Sequence, residues 1–159
     1  MIVKHPIEPL FNEHSRVLIL GSFPSVKSRE QMFFYGHPQN RFWKVVSGVF
    51  NKPEPKTIED KKSLLYSCNI ALWDVIASCE IVGSSDSTIK NVIANDLTTV
   101  LNGAKIEKII VNGKTAEKYF IKYIEPRIKI KAICLPSTSP ANAAYSLEKL
   151  ISKWQIIKL

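Results

Sequence analysis

Several shortages in this chain narrow the field before any motif is considered. It has only three cysteines, Cys68, Cys79 and Cys134, odd in number, widely spaced and without a CxxC pair. A disulfide framework, a zinc site or an iron–sulfur cluster needs more ligands than these, and the three histidines do not make up the shortfall. No metal is expected. Cys68 and Cys134, next to or within apolar runs, read instead as small core residues. No GxGxxG is present. Gly113-Lys114-Thr115 imitates the end of a phosphate-binding loop, but Lys108 stands where that loop needs glycine. The backbone therefore cannot wrap a β-phosphate, which argues against a nucleotide triphosphatase. No apolar run approaches the ~20 residues of a membrane span, and the N-terminus lacks a signal-peptide core. A cytoplasmic protein is expected.

Negative charge is also scarce. Against 14 acidic residues stand 22 basic ones, giving a net charge of +8. Eighteen of the 22 are lysines, spread from Lys4 to Lys158. Such a balance favours polyanionic partners, nucleic acid being the commonest, and its alternative is simply a solvated lysine-rich surface.

The 159 residues, 45% of them hydrophobic, suit a single domain spanning 1–159. Apolar runs predict four strands, at about Arg16–Leu20, Asn69–Trp73, Lys108–Val111 and Lys131–Leu135. Helical spacing is carried by Phe42, Val46, Val49 and Phe50, by a segment starting near Thr57, and by Leu147, Leu150, Ile151 and Trp154. It is also carried by Ile89, Val92, Ile93, Leu97, Val100 and Leu101, and by Ala116, Tyr119, Phe120 and Tyr123, with Glu125-Pro126 as the stop. Alternating strands and helices predict a three-layer α/β/α sandwich around a mostly parallel, four-stranded sheet.

The carboxyl ends of all four predicted strands carry unusual residues, and such ends are where open α/β sheets bind ligands. The first leads into Gly21-Ser22-Phe23-Pro24-Ser25. The second ends at Asp74, the third at Asn112-Gly113, and the fourth at Pro136-Ser137-Thr138-Ser139-Pro140-Ala141-Asn142. Between the first loop and the next helix, Phe33 to Trp43 concentrates aromatic residues with His37, Asn40 and Arg41. Aromatic rings stack on bases, Arg pairs with phosphates, and a carboxamide orients water or reads a base edge. Plainer readings stand beside these. Phe42 and Trp43 suit the core, Asn40 suits a helix N-cap, and His37-Pro38 and Asp74 suit turns. Asn112-Gly113 suits the entry to a helix, and the Ser137–Asn142 loop suits a helix cap.

Taken together, these blocks resemble the uracil-DNA glycosylase superfamily. Tyr35-Gly36-His37-Pro38-Gln39-Asn40-Arg41-Phe42-Trp43-Lys44-Val45 resembles a segment of the mismatch-specific uracil and thymine glycosylases. Those enzymes usually carry Gly-Ile-Asn-Pro-Gly after the first strand, where this chain has Phe23 in place of the Asn. The hypoxanthine-DNA (deoxyinosine) glycosylase branch is a closer match. It shares the Gly-Ser-Phe-Pro-Ser block, the His-Pro-x-Asn-x-Phe-Trp run, Ser84-Ser85-Asp86-Ser87, and Leu135-Pro136-Ser137-Thr138-Ser139-Pro140-Ala141.

The resemblance implies sheet order 2-1-3-4, no cofactor, and a monomer acting on double-stranded DNA that contains a deaminated base. The implied reaction is extrusion of the damaged nucleotide and hydrolysis of its N-glycosidic bond, with hypoxanthine preferred and uracil opposite guanine as the alternative. Asn40 would be the catalytic residue, its side-chain oxygen holding the attacking water. Tyr35 would stack on the base. Gly21, Ser22, Phe23, Pro24, Ser25, Asp74 and Asn112 would form the base pocket. His37, Arg41, Ser137, Thr138, Ser139, Pro140, Ala141 and Asn142 would meet the DNA. A catalytically inactive nucleic-acid-binding module and a hydrolase of free nucleosides are the remaining readings.

Overall fold

The computed structural model describes residues 1–159. Its elements are β1 (Ile2–Lys4), β2 (Val17–Gly21), α1 (Val26–Gln31), α2 (Phe42–Val49), α3 (Ile58–Ser67), β3 (Ile70–Asp74), β4 (Ile76–Val82) and β5 (Ser85–Ala94). They continue with α4 (Thr98–Gly103), β6 (Lys108–Asn112), α5 (Lys114–Tyr119), α6 (Glu125–Ile128), β7 (Ile133–Leu135) and α7 (Leu147–Lys153).

The central sheet is four-stranded and parallel in the order β3-β2-β6-β7. Renumbered among these four strands alone, that is the expected 2-1-3-4. Its strands are apolar except at their ends because both faces are covered. Val17, Ile19, Ile70, Leu72 and Ile110 pack with Phe42, Trp43 and Val46 of α2, with α3 and with α7. Leu18, Leu20, Ala71, Ile109 and Val111 face the other way, toward Val100 of α4, Ala116 of α5 and Phe120. Local signals place the helix starts. Thr57 caps α3 by accepting from the Asp60 N–H, and Ser146 caps α7 by accepting from that of Lys149.

Two sequence expectations fail. The segment expected as one helix through Ile89–Leu101 is split. Up to Ala94 it belongs to β5, which pairs antiparallel with β4 in a second sheet of order β1-β4-β5, and only from Thr98 is it helical, in α4. A bulge explains the misreading. Ser78 pairs with Ile93 and Glu80 with Lys90, so β5 has an extra residue there, and Asn91 adopts φ +52°. The extra residue breaks the period-two alternation and leaves Ile89 and Val92 at a helix-like spacing. The second failure is the stop at Glu125-Pro126. The chain instead widens into a π-turn over Phe120–Ile124 and continues through Pro126 to Ile128. The wider turn accommodates a proline that lacks an N–H and crowds the preceding carbonyls.

All three cysteines are free, and burial pushes their thiols up. No helix is long and apolar enough to cross a membrane.

Candidate active site

A cavity of about 350 Å³ opens at the carboxyl ends of the parallel strands. Gly21, Ser22, Phe23, Pro24, Ser25, Tyr35, Asn40, Asp74 and Asn112 all line it, together with His37, Ser137, Thr138, Ser139, Pro140 and Ala141. Segments far apart in sequence converge because adjacent parallel strands end side by side: Gly21 pairs with Asp74, and Asn112 with Leu135. Gly21 is required by the close approach. A Cβ there would collide with Asp74 Oδ1 and come within 3.1 Å of the Tyr35 hydroxyl.

One wall is a continuous hydrogen-bond chain whose polarity can be worked out from its backbone members. The Phe42 N–H donates to Asn40 Oδ1 at 2.9 Å, which makes that atom the oxygen. The Thr138 hydroxyl, 2.9 Å away, must then donate to the same oxygen. The Thr138 N–H donates to Asn112 Oδ1 at 3.0 Å, which orients the Asn112 amide. Asn112 Nδ2 donates to Thr138 Oγ1 at 3.0 Å and to the Tyr35 hydroxyl oxygen at 3.1 Å.

Two residues thereby take roles other than those expected. Both lone pairs of the Asn40 oxygen are engaged within the protein, so the group it leaves for a ligand is its NH₂. Both Asn112 amide hydrogens are likewise engaged, which makes Asn112 the link between Thr138 and Tyr35. Tyr35 is stacked on Phe42 with ring centroids 4.0 Å apart, so one face of its ring is covered. Its backbone sits at φ +51°, a strained conformation for a side chain of this size, held by the Trp43 indole N–H on its carbonyl. Burial and the nearby Asp74 charge push its phenol far above the usual range, against the opposing hydrogen bond from Asn112.

Arg41 and Asn142 do not line the cavity. The Arg41 guanidinium donates to the carbonyls of Tyr145, Ser139 and Asn142. Asn142 Nδ2 donates to the Ser137 carbonyl at 3.0 Å. Both residues therefore brace the 137–145 loop, which the Trp154 indole also holds by donating to the Pro136 carbonyl. His37 lines the cavity with Nδ1 accepting from the Gln39 N–H.

The cavity is also lined by residues outside the expected set: Ser28, Phe34, and, forming a second wall, Ser84, Ser85 and Asp86. The last three sit at the tip of the β4–β5 hairpin. Ser22 Oγ donates to the Asp86 carboxylate at 3.1 Å, and Ser84 Oγ accepts from the Val26 N–H. Arg29 reaches the Gly83 carbonyl and lies over the Phe23 ring. Partial burial pushes the Asp86 carboxyl up, with hydrogen bonds from Ser22 and Thr115 opposing and the Asp74 charge reinforcing. The Ser-Ser-Asp-Ser run was the available signal for this wall, but a helix expected just downstream concealed the hairpin that delivers it.

Comparison with known proteins agrees with this architecture. A model of the uracil DNA glycosylase superfamily matches residues 8–158. The chain belongs to that superfamily. Among superfamily relatives, a protein from Methanosarcina acetivorans named hypoxanthine DNA glycosylase is 30% identical over 161 residues, covering 98% of both chains. Another so named, from Methanosarcina barkeri, is 28% identical over 156 residues, covering 95% of each. A solution NMR structure from M. acetivorans, provisionally described as a uracil DNA glycosylase, superposes with a TM-score of 0.80 at 29% identity, covering 99% of both chains.

Proposed function

We propose that the protein is a monofunctional DNA glycosylase that acts as a monomer on duplex DNA, extruding a deaminated nucleotide and releasing hypoxanthine. The observation that carries this reading is the preset chain Asn40–Thr138–Asn112–Tyr35 beside a cavity walled by Phe23 and Phe34. A base inside a duplex is unreachable, and flipping it costs a few kcal/mol, least for a mispaired base. The net charge of +8 offsets part of that cost by attracting the phosphate backbone.

Breaking the sugar–base bond leaves positive charge on the sugar and negative charge on the departing base. Donors already aimed at that charge lower the barrier, because they need not reorganise. Asn40 is tied through its oxygen, so its NH₂ is such a donor, directed either to the base or to the oxygen of the attacking water. No lysine lines the cavity, so no amine is placed to trap the sugar covalently. The loop Ser137–Ala141 meets the DNA backbone at the mouth, held in shape by Arg41 and Asn142.

The test is single-turnover incubation with duplexes carrying one deoxyinosine or one uracil, read by alkaline nicking at the abasic product. Nicking at deoxyinosine is expected. Nicking at uracil alone would overturn the base assignment and keep the chemistry. Tight, salt-sensitive binding without nicking would mark an inactive binding module. Hydrolysis of free nucleosides alone would mark a small-molecule enzyme.

A further inference from the structure

Asp74, at the end of β3, is engaged on one oxygen only. Its Oδ2 lies 2.7 Å from His5 Nε2, and the two side chains are 6% and 3% exposed. The tautomer of His5 is set by its other nitrogen. The Ile7 N–H donates to His5 Nδ1 at 3.1 Å, so Nδ1 keeps its lone pair and the ring proton sits on Nε2. His5 is therefore the donor and Asp74 Oδ2 the acceptor.

The imidazole is held among Phe23, Phe34 and Trp73, at centroid distances of 5.9, 6.5 and 6.3 Å. Its chain segment is anchored by the His5 N–H on the Ala77 carbonyl and by the Trp73 indole on the Ile7 carbonyl. The turn beneath Asp74 is clamped by the buried Asn95, which donates to the carbonyls of Asp74 and Ile76.

No protein group donates to the other oxygen, Oδ1, and Asp74 lines the cavity. Beside it, over the same glycine, lies the Tyr35 hydroxyl. That hydroxyl already accepts from Asn112, so its own hydrogen is available to a ligand. A donor and an acceptor thus stand together, with the acceptor unable to act as a donor.

We propose that Tyr35 and Asp74 form a reader for a lactam edge, the hydroxyl donating to a ring carbonyl and Asp74 Oδ1 accepting from the adjacent ring N–H, with His5 as the positioning residue that sets the acceptor. This rests on the functional reading above and gives it a basis for choice. Deamination turns the amine and bare ring nitrogen of adenine into the carbonyl and N–H of hypoxanthine, and it changes cytosine to uracil in the same sense. The undamaged base would set a nitrogen lone pair against Oδ1, leaving two acceptors opposed and unpaired, the kind of mismatch that buried polar sites reject strongly.

The experiment compares single-turnover excision, by the full chain, of deoxyinosine and of the deoxynucleoside of unsubstituted purine, which lacks the carbonyl and has a bare ring nitrogen. Wild type should favour deoxyinosine by about 100-fold or more. In Asp74→Asn, whose amide can present either polarity, that ratio should shrink at least tenfold. His5→Ala should shrink it similarly, and His5→Gln, which keeps an N–H near the Nε2 position, should restore part of it. A merely structural role would lower both rates together and leave the ratio alone. An unchanged ratio in Asp74→Asn, or none to begin with, overturns the reader.

If the wild type excises neither of these bases nor uracil, the glycosylase reading falls and the reader is tested separately. NMR shift titration with free hypoxanthine and adenine should then show preference for hypoxanthine at the Gly21 and Asp74 amides. Equal or absent binding overturns it.

Discussion

Thr138 and Asp86 line the same cavity and are held in opposite ways. Thr138 is wholly buried, and its N–H, hydroxyl and carbonyl all have protein partners, on Asn112, Asn40 and Arg41. Asp86 sits on an exposed hairpin tip, held chiefly through Ser22, and its carboxyl is pushed up by partial burial. The first wall is rigid because each amide and hydroxyl orients the next. The second is attached by a few contacts to α1 and the Gly21–Ser25 loop, so its local opening is cheaper. On the proposed function, preorganisation for catalysis falls to the Asn40–Thr138 side, and adjustment to an entering nucleotide to the Asp86 side.

The largest effect should come from Asn40→Ala, which removes the free NH₂ of the rigid wall. Single-turnover excision is expected to fall by about 10²–10³-fold, with duplex affinity by fluorescence anisotropy little changed. A comparable loss of affinity would mean that Asn40 is a binding residue. Thr138→Val keeps the shape and removes the hydroxyl that joins Asn40 to Asn112. It should cost about 1–3 kcal/mol in denaturant unfolding and reduce the excision rate, because Asn40 Oδ1 loses one of its two donors and Asn112 Nδ2 one of its two acceptors. A neutral result would deny the wall its rigidity.

Tyr35→Phe addresses the end of the same chain. In an unfolded chain a tyrosine ionises near pH 10, whereas the folded phenol resists ionisation well beyond that. The wild type should therefore lose stability as pH rises above about 10, and Tyr35→Phe should show a shallower alkaline loss in thermal melts. A loss as steep as that of the wild type would place Tyr35 in contact with solvent.

The smallest effect is expected on the flexible wall. The folded carboxyl of Asp86 holds its proton more tightly than the unfolded one, so stability declines as pH rises from the unfolded aspartate value of about 4 to the raised folded one. Asp86→Asn should flatten that decline and leave neutral-pH stability almost unchanged. Its excision rate should fall less than that of Asn40→Ala. A larger fall would move the catalytic centre to the hairpin.

The rigid wall was largely legible in the sequence and the hairpin wall was not. Asn40, Asn112 and Thr138 could be found because each lies just beyond a strand or before a helix, and local patterns mark those places. Asp86 was visible only within a short polar run, and the bulge at Asn91 gave its strand the spacing of a helix. His5 carried no local signal. Its partner Asp74 lies 69 residues away, and the pairing depends on β1 aligning with β4.

By itself, the order of residues determined the parallel sheet, its strand-end loops and the chemistry available there, because backbone periodicity and turn preferences act over a few neighbours. Only the tertiary structure decided which atoms of those side chains remain free. Asn40 loses the use of its oxygen, Asn112 the use of its donors and Arg41 its freedom to meet phosphate, since hydrogen-bond valence is filled by whatever folding brings within 3 Å or so. The same long-range convergence gave Asp74 a histidine on one side and left its other oxygen facing the cavity.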